Sequence, residues 1–200
     1  MTFTKLSGRR YSVAVRRERG PALAPRQGPG YDDFLPHDAV HLIVESEARL
    51  AGGAFGRVAA GRNNIFWPAD PALRRRQARR EARRVTTKAE HADMARSEWF
   101  ASVCPLLWEL RTGRRAESDL PEWFSSGDAS ALPGPLTERI IERLDDFAAR
   151  WAALPAGGTI TLSWPGRPSE SARRSPRAHG RHREEPVAER SAQLPHTVGD

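Results

Sequence analysis

The chain has 200 residues, enough for one ordinary domain and too few for two, with 38% hydrophobic and 28% charged residues and a mean hydropathy of −0.63. No apolar run approaches the ~20 residues of a membrane helix, no secretory signal heads the sequence, and one cysteine, Cys104, excludes an intramolecular disulfide or a cysteine-based zinc site. These features predict a cytoplasmic protein with one modest core. The net charge is +7, but residues 74–84 alone hold seven Arg and one Glu, a net of +6, and residues 167–200 net +2. The basicity is therefore one stripe on a near-neutral body. Only Lys5 and Lys88 are lysines, so the arginine skew reads more as genomic base composition than as selection for phosphate binding.

Tyr11 to Val15 alternates large and small side chains, placing Tyr11, Val13 and Val15 on one face of a strand. Phe3 to Leu6 precedes it across a Ser7-Gly8 turn, which predicts an N-terminal hairpin. Gly20 to Gly30, with three Gly and three Pro, reads as an irregular connector. A helix is then expected from an Asp33 cap, with Pro36 in its first turn, to about Leu50, ended by Gly52-Gly53. A short helix over Phe55 to Ala60, closed by Gly61, and a loop at Asn63 to Pro68 with core-plugging aromatics follow.

Asp70-Pro71 starts an Arg-rich helix to about Val85, with Ala78, Ala82 and Val85 toward the body. Thr87-x-x-Glu90 is a capping box that opens another. Along it Ala92, Ala95, Trp99, Val103, Leu106 and Leu110 form an apolar stripe, with a kink expected at Pro105. Residues 114–134 read as loop, anchored by Leu120, Trp123 and Phe124. The last helix begins at Pro135 and carries Leu136, Ile140, Leu144, Phe147 and Trp151 on one face. After Pro155 to Gly158, Thr159 to Trp164 alternates again. Residues 167–200, rich in Pro, Ser, Arg and Glu, read as a disordered tail. The pattern predicts an α+β domain over residues 1–166. Its small antiparallel sheet joins the N-terminal hairpin to a C-terminal strand and is covered by amphipathic helices.

Pro36-His37-Asp38-Ala39-Val40-His41 is the most chemically suggestive stretch. One turn apart on a helix, His37 and His41 share a side and can grip one divalent ion, zinc foremost. Glu45, a further turn on, supplies an oxygen, and Asp38 is either a ligand or a charge at the helix N-terminus. With Val40, Val44 and Ala51 as the buried centre, His37 falls near the core and His41 at its rim, so a hydrogen-bonded core histidine satisfies the same pattern. Acid–base partners are sought among Asp32, Asp33, His91 and Glu98, while Cys104 reads as a small core residue.

His37-Asp38-x-x-His41 is similar to the first half of the metal motif of the coenzyme Q biosynthesis zinc-motif family. The resemblance implies metal-ligand roles for His37, His41 and Asp38. That family's Glu, twelve residues after the second His, is Gly53 here. The string from Tyr11 through Gly30-Tyr-Asp-Asp33 to Leu35-Pro-His-Asp38 also resembles a group of bacterial proteins of unknown function, which implies no activity.

The second candidate surface is the helix bearing Arg74, Arg75, Arg76, Arg79, Arg80, Arg83 and Arg84. It is either a contact for nucleic acid or an acidic partner, or a solvated helix pairing with Asp70, Glu81 and Glu90. Two functions are thus open: a metal-binding protein, extending to a small metal-dependent enzyme, and a non-enzymatic binding module.

Overall fold

Phe3 is fully buried between two neighbours, paired with Val13 on one side and Ile160 on the other. Around it stands a four-stranded antiparallel sheet of β1 (Thr2–Lys5), β2 (Tyr11–Ala14), β3 (Arg26–Gln27) and β4 (Thr159–Thr161), in the order β3-β2-β1-β4. The computed structural model describes residues 1–29, 34–62, 65–125 and 133–165. The hairpin turn passes through Gly8 and Arg9, both left-handed, and Leu6 N–H donates to the Arg10 carbonyl. The C-terminal strand joins the hairpin as the alternation predicts. The connector, however, contains β3, because two residues of it run antiparallel to Ser12 and Val13 despite the flanking glycines and prolines.

Among the described residues six helices follow the chain: α1 (His37–Ala48), α2 (Ala54–Ala59), α3 (Pro71–Ala82), α4 (Lys88–Arg111), α5 (Glu122–Ser125) and α6 (Gly134–Ala153). The fold is α+β, and Met1 to Pro165 forms one compact unit. Phe3, Tyr11, Val13 and Ile160 present the sheet's buried face, and Phe147 of α6 meets Phe3 edge-on at 5.8 Å. Ile140, Leu144, Phe147 and Trp151 are buried as α6's spacing requires, with Ile141 and Ala148 beside them, whereas Leu136 is only partly covered. At the centre Trp108 is fully buried and donates its indole N–H to Asp145 Oδ1 at 3.0 Å.

Several boundaries differ from the sequence reading. Asp33 lies outside the described residues, and α1 starts one turn later, after Pro36 in an extended conformation. It ends at Arg49, left-handed at φ 56°, whose N–H donates to the Glu45 backbone carbonyl. Gly53, at φ −67°, is not a left-handed terminator. Asp70 caps α3 through Leu73 N–H, and Thr87 with Glu90 closes the capping box of α4, so residues 71–111 form two helices. On α4 the expected stripe is out of phase. Ala92 and Ala95 are exposed, and the buried line is Ser97, Phe100, Val103, Cys104 and Trp108. The helix continues through Pro105. The stretch expected to be loop holds a 3-10 turn at Glu117–Asp119 as well as α5, and Trp123 is half exposed rather than an anchor. Residues 167–200, expected to form a tail, lie outside the described residues, as do Asp32 and Asp33.

Candidate functional site

The first turn of α1 is anchored from both sides. Asp38 N–H donates to the Tyr11 hydroxyl at 3.1 Å, and the Asp38 carboxylate takes an ion pair from Arg26 of β3 at 2.6 Å. Burial alone would raise the Asp38 carboxyl, but contacts with His37 and the Arg26 guanidinium hold it below its ordinary range. Burial and the Asp38 charge together push the Tyr11 hydroxyl well above 10. Arg26 also lies over the Phe66 ring at 5.1 Å.

Glu45 is fully buried and spends both oxygens on the start of α2. Oε1 accepts from Ala54 N–H at 2.9 Å, and Oε2 accepts from Phe55 and Gly56 N–H at 2.8 and 3.0 Å. The carboxylate thus sits at a helix N-terminus, satisfying amides that have no intrahelical partner. A fourth donor, the Ser97 hydroxyl of α4, reaches Oε1 at 2.7 Å. Burial still pushes the Glu45 carboxyl upward, with these four hydrogen bonds pulling against it.

Ser97 has a single hydroxyl proton, and the contact to Glu45 uses it. Its oxygen therefore accepts from His41 Nδ1 at 3.0 Å, which assigns the Nδ1–H tautomer and leaves the Nε2 lone pair unprotonated. Nε2 lies 3.9 Å from Oε2 of the exposed Glu98 carboxylate. Burial, and then the neighbouring His37 imidazole, hold the His41 pKa below 6.5, with Glu98 and Asp38 opposing. The order Glu45–Ser97–His41 puts the serine in the middle, buried and already donating, so Ser97 is a link and not a nucleophile.

His41, His37, Asp38, Glu98 and Arg26 border a surface cleft of about 370 Å³, with Ala54, Phe55 and Ile65 among its apolar walls. The two histidines are placed opposite to expectation. His41 is buried and His37 exposed, because α1 turns Val40 and Val44 inward while Ala51, past the helix end, is in solvent. Their rings are nonetheless neighbours, with centroids 4.5 Å apart.

The proposed ligand set of His37, His41, Glu45 and Asp38 is not assembled. Glu45 points its oxygens at α2, and Asp38 is committed to Arg26. Among the described residues no three His, Cys, Asp or Glu side chains are grouped to hold a metal ion. Of the acid–base candidates, Glu98 lines the cleft and His91 is exposed on the first turn of α4. Ser97 and Arg26 escape a sequence reading, since Ser97 is 56 residues from the histidine it orients and neither lies in a motif. Cys104 is buried and its thiol is pushed up to about 12 by that burial, as suits a core residue.

The Arg-rich helix stands differently. No residue of α3 is buried, and its half-covered positions are Gln77 and Glu81, not Ala78, Ala82 and Val85. Among the described residues the expected pairing with acids is confined to Arg84, 3.5 Å from Glu90, while Asp70 is occupied as the cap and Arg74 donates to the Pro68 carbonyl. Among the described residues no helix is long and apolar enough to cross a membrane. The chain matches no family model, no curated protein and no solved structure.

Proposed function

We propose that the cleft beside α1 is the working site of a small enzyme that moves a proton on a polar substrate, with His41 as its general base. The observation that carries this reading is the Glu45–Ser97–His41 chain, which orients one imidazole with a lone pair at the cleft. His41 is neutral near pH 7 because burial disfavours its cation, so it is ready to accept a proton. In the step, a bound water gives its proton to Nε2 as its oxygen bonds to the ester carbon or phosphorus, and the leaving oxygen takes that proton when its own bond to the same atom breaks. In between, the imidazolium donates Nδ1–H to Ser97 and faces the Glu98 carboxylate, which offsets the new charge. Arg26, the one guanidinium among the lining residues, is paired with Asp38 and fixes the first turn of α1 at the cleft edge.

The test has two parts. Nitrogen NMR of imidazole-labelled protein reads the tautomer, and Nδ1–H on His41 is expected; an Nε2–H tautomer overturns the reading. A panel of ester, lactone and phosphoester substrates then reads turnover, expected to fall by about 100-fold in His41→Gln. Turnover that survives that substitution, or none above buffer in any class, counts against the assignment.

The 4.5 Å spacing of the His37 and His41 rings favours a second reading, in which the two imidazoles chelate a divalent metal, zinc first, with water in the remaining positions. The His41 Nδ1–H bond to Ser97 is the outer-shell arrangement that ligating histidines use. Elemental analysis and a zinc titration of wild type and His37→Ala decide it: stoichiometric zinc, lost in the variant, supports chelation.

A further inference from the structure

We propose that α3 is a docking helix for duplex DNA, lying in the major groove and contacting phosphates on both strands. Arg75, Arg76, Arg79, Arg80 and Arg83, with Ala72 between them, line one surface groove of about 530 Å³. Among the described residues none of these five guanidinium groups has an ion pair. What sets them apart is their clustering on one groove, not the lack of a carboxylate. The unpaired charge is concentrated where the helix stands clear of the body.

Geometry sharpens the choice of partner. At about 100° per residue, the five arginines fall in an arc of about 140° centred near Ala72. The half-covered Gln77 and Glu81 lie on the opposite side, so the arginine face points away from the domain. Arg75, Arg79 and Arg83 make one edge of the arc, and Arg76 and Arg80 the other. The small Ala72 between them lets the helix backbone approach. Such a helix fits the B-form major groove, about 12 Å wide, with arginines reaching the strands on either side. The A-form RNA major groove is too narrow to admit it. Single strands bind through aromatic stacking, and no aromatic residue lies on this face. A membrane surface requires a large apolar face, whereas here the apolar lining is Ala72 alone. The contacts that the arc makes with phosphates carry no sequence information, and it holds no Asn or Gln to read adenine.

The experiment is fluorescence anisotropy of the full chain with a labelled DNA duplex across a salt series. Five phosphate contacts predict a slope of about −4.5 in log affinity against log salt concentration. Replacing all five arginines by Gln is expected to weaken binding by at least about 100-fold at low salt and flatten the slope, while five Lys substitutions retain most of both. Circular dichroism of each variant checks that the helices remain. A single Arg79→Gln change, expected to reduce the slope by about one, gives an independent readout if the fivefold variant misfolds. The proposal is overturned if the Gln variants bind unchanged and binding is lost instead on replacing the arginines of residues 167–200. Equal or tighter binding of duplex RNA, single strands, polyglutamate or anionic vesicles overturns it as well.

Discussion

Gly53 and Glu45 fit face to face: a Cβ built on Gly53 would lie 2.4 Å from the carboxyl carbon of Glu45. The glycine is required by that close approach and not by its backbone angles, which any residue adopts. Gly53→Ala is therefore expected to destabilise the protein by about 1–3 kcal/mol, the usual range for overpacking a filled interior. Urea unfolding of the two proteins measures it, and an unchanged midpoint would show that the Glu45 cap moves aside freely.

Removing the link between Glu45 and His41 has two separable effects. Ser97→Ala strips one donor from Glu45 and the acceptor from His41 Nδ1–H, both in the interior. The stability loss should be about 1–3 kcal/mol, as for a buried polar group left unsatisfied. The same variant should also show mixed His41 tautomers in nitrogen NMR, since nothing then selects Nδ1–H.

The pH dependence follows from the His41 environment, where burial and then His37 lower its pKa and Glu98 and Asp38 oppose them. The unfolded chain binds a proton near 6.5, and the folded protein only at lower pH. Between these values the unfolded state holds more protons, so stability rises with pH. The contribution is complete above 6.5 and is lost on acidification toward the folded value. Glu45, raised from 4.5, runs the other way at the acid end, so comparison with His41→Gln isolates the histidine. Denaturant midpoints of the two proteins should converge as the pH falls through this window; parallel curves would exclude the shift.

Cys104 gives a direct probe of the interior. With its thiol buried and pushed up to about 12, it should resist aromatic disulfide reagents in the native protein. Labelling should appear only with global unfolding, at a rate that tracks added urea. Rapid labelling of native protein would mean that α4 opens locally.

Where one residue type settles a local choice, the sequence can be read directly. Asp70-Pro71 and Thr87 with Glu90 start helices as their cap chemistry requires, and the alternation around Tyr11 and Ile160 marks two of the four strands. The phase of α4 is not readable in this way. Trp99, Leu106 and Leu110 are apolar but only partly buried, and the helix is turned by Ser97, a polar residue buried because Glu45 meets it. The exchange of roles between His37 and His41 has a similar origin. Counting Ala51 into α1 rotates the inferred core face, whereas the chain has already left the helix at Arg49. The short β3 is held by its neighbour's hydrogen bonds and by Arg26 reaching Asp38, which composition does not reveal.

The strand order has a consequence for biosynthesis. Thr2 and Thr161 meet through their hydroxyls across 159 positions of chain, so β1 receives its outer neighbour only after almost the whole unit has been translated. At ordinary ribosomal speeds that interval is on the order of ten seconds. During it the nascent hairpin exposes one unpaired edge to solvent, the stage at which a holdase would have the most to protect.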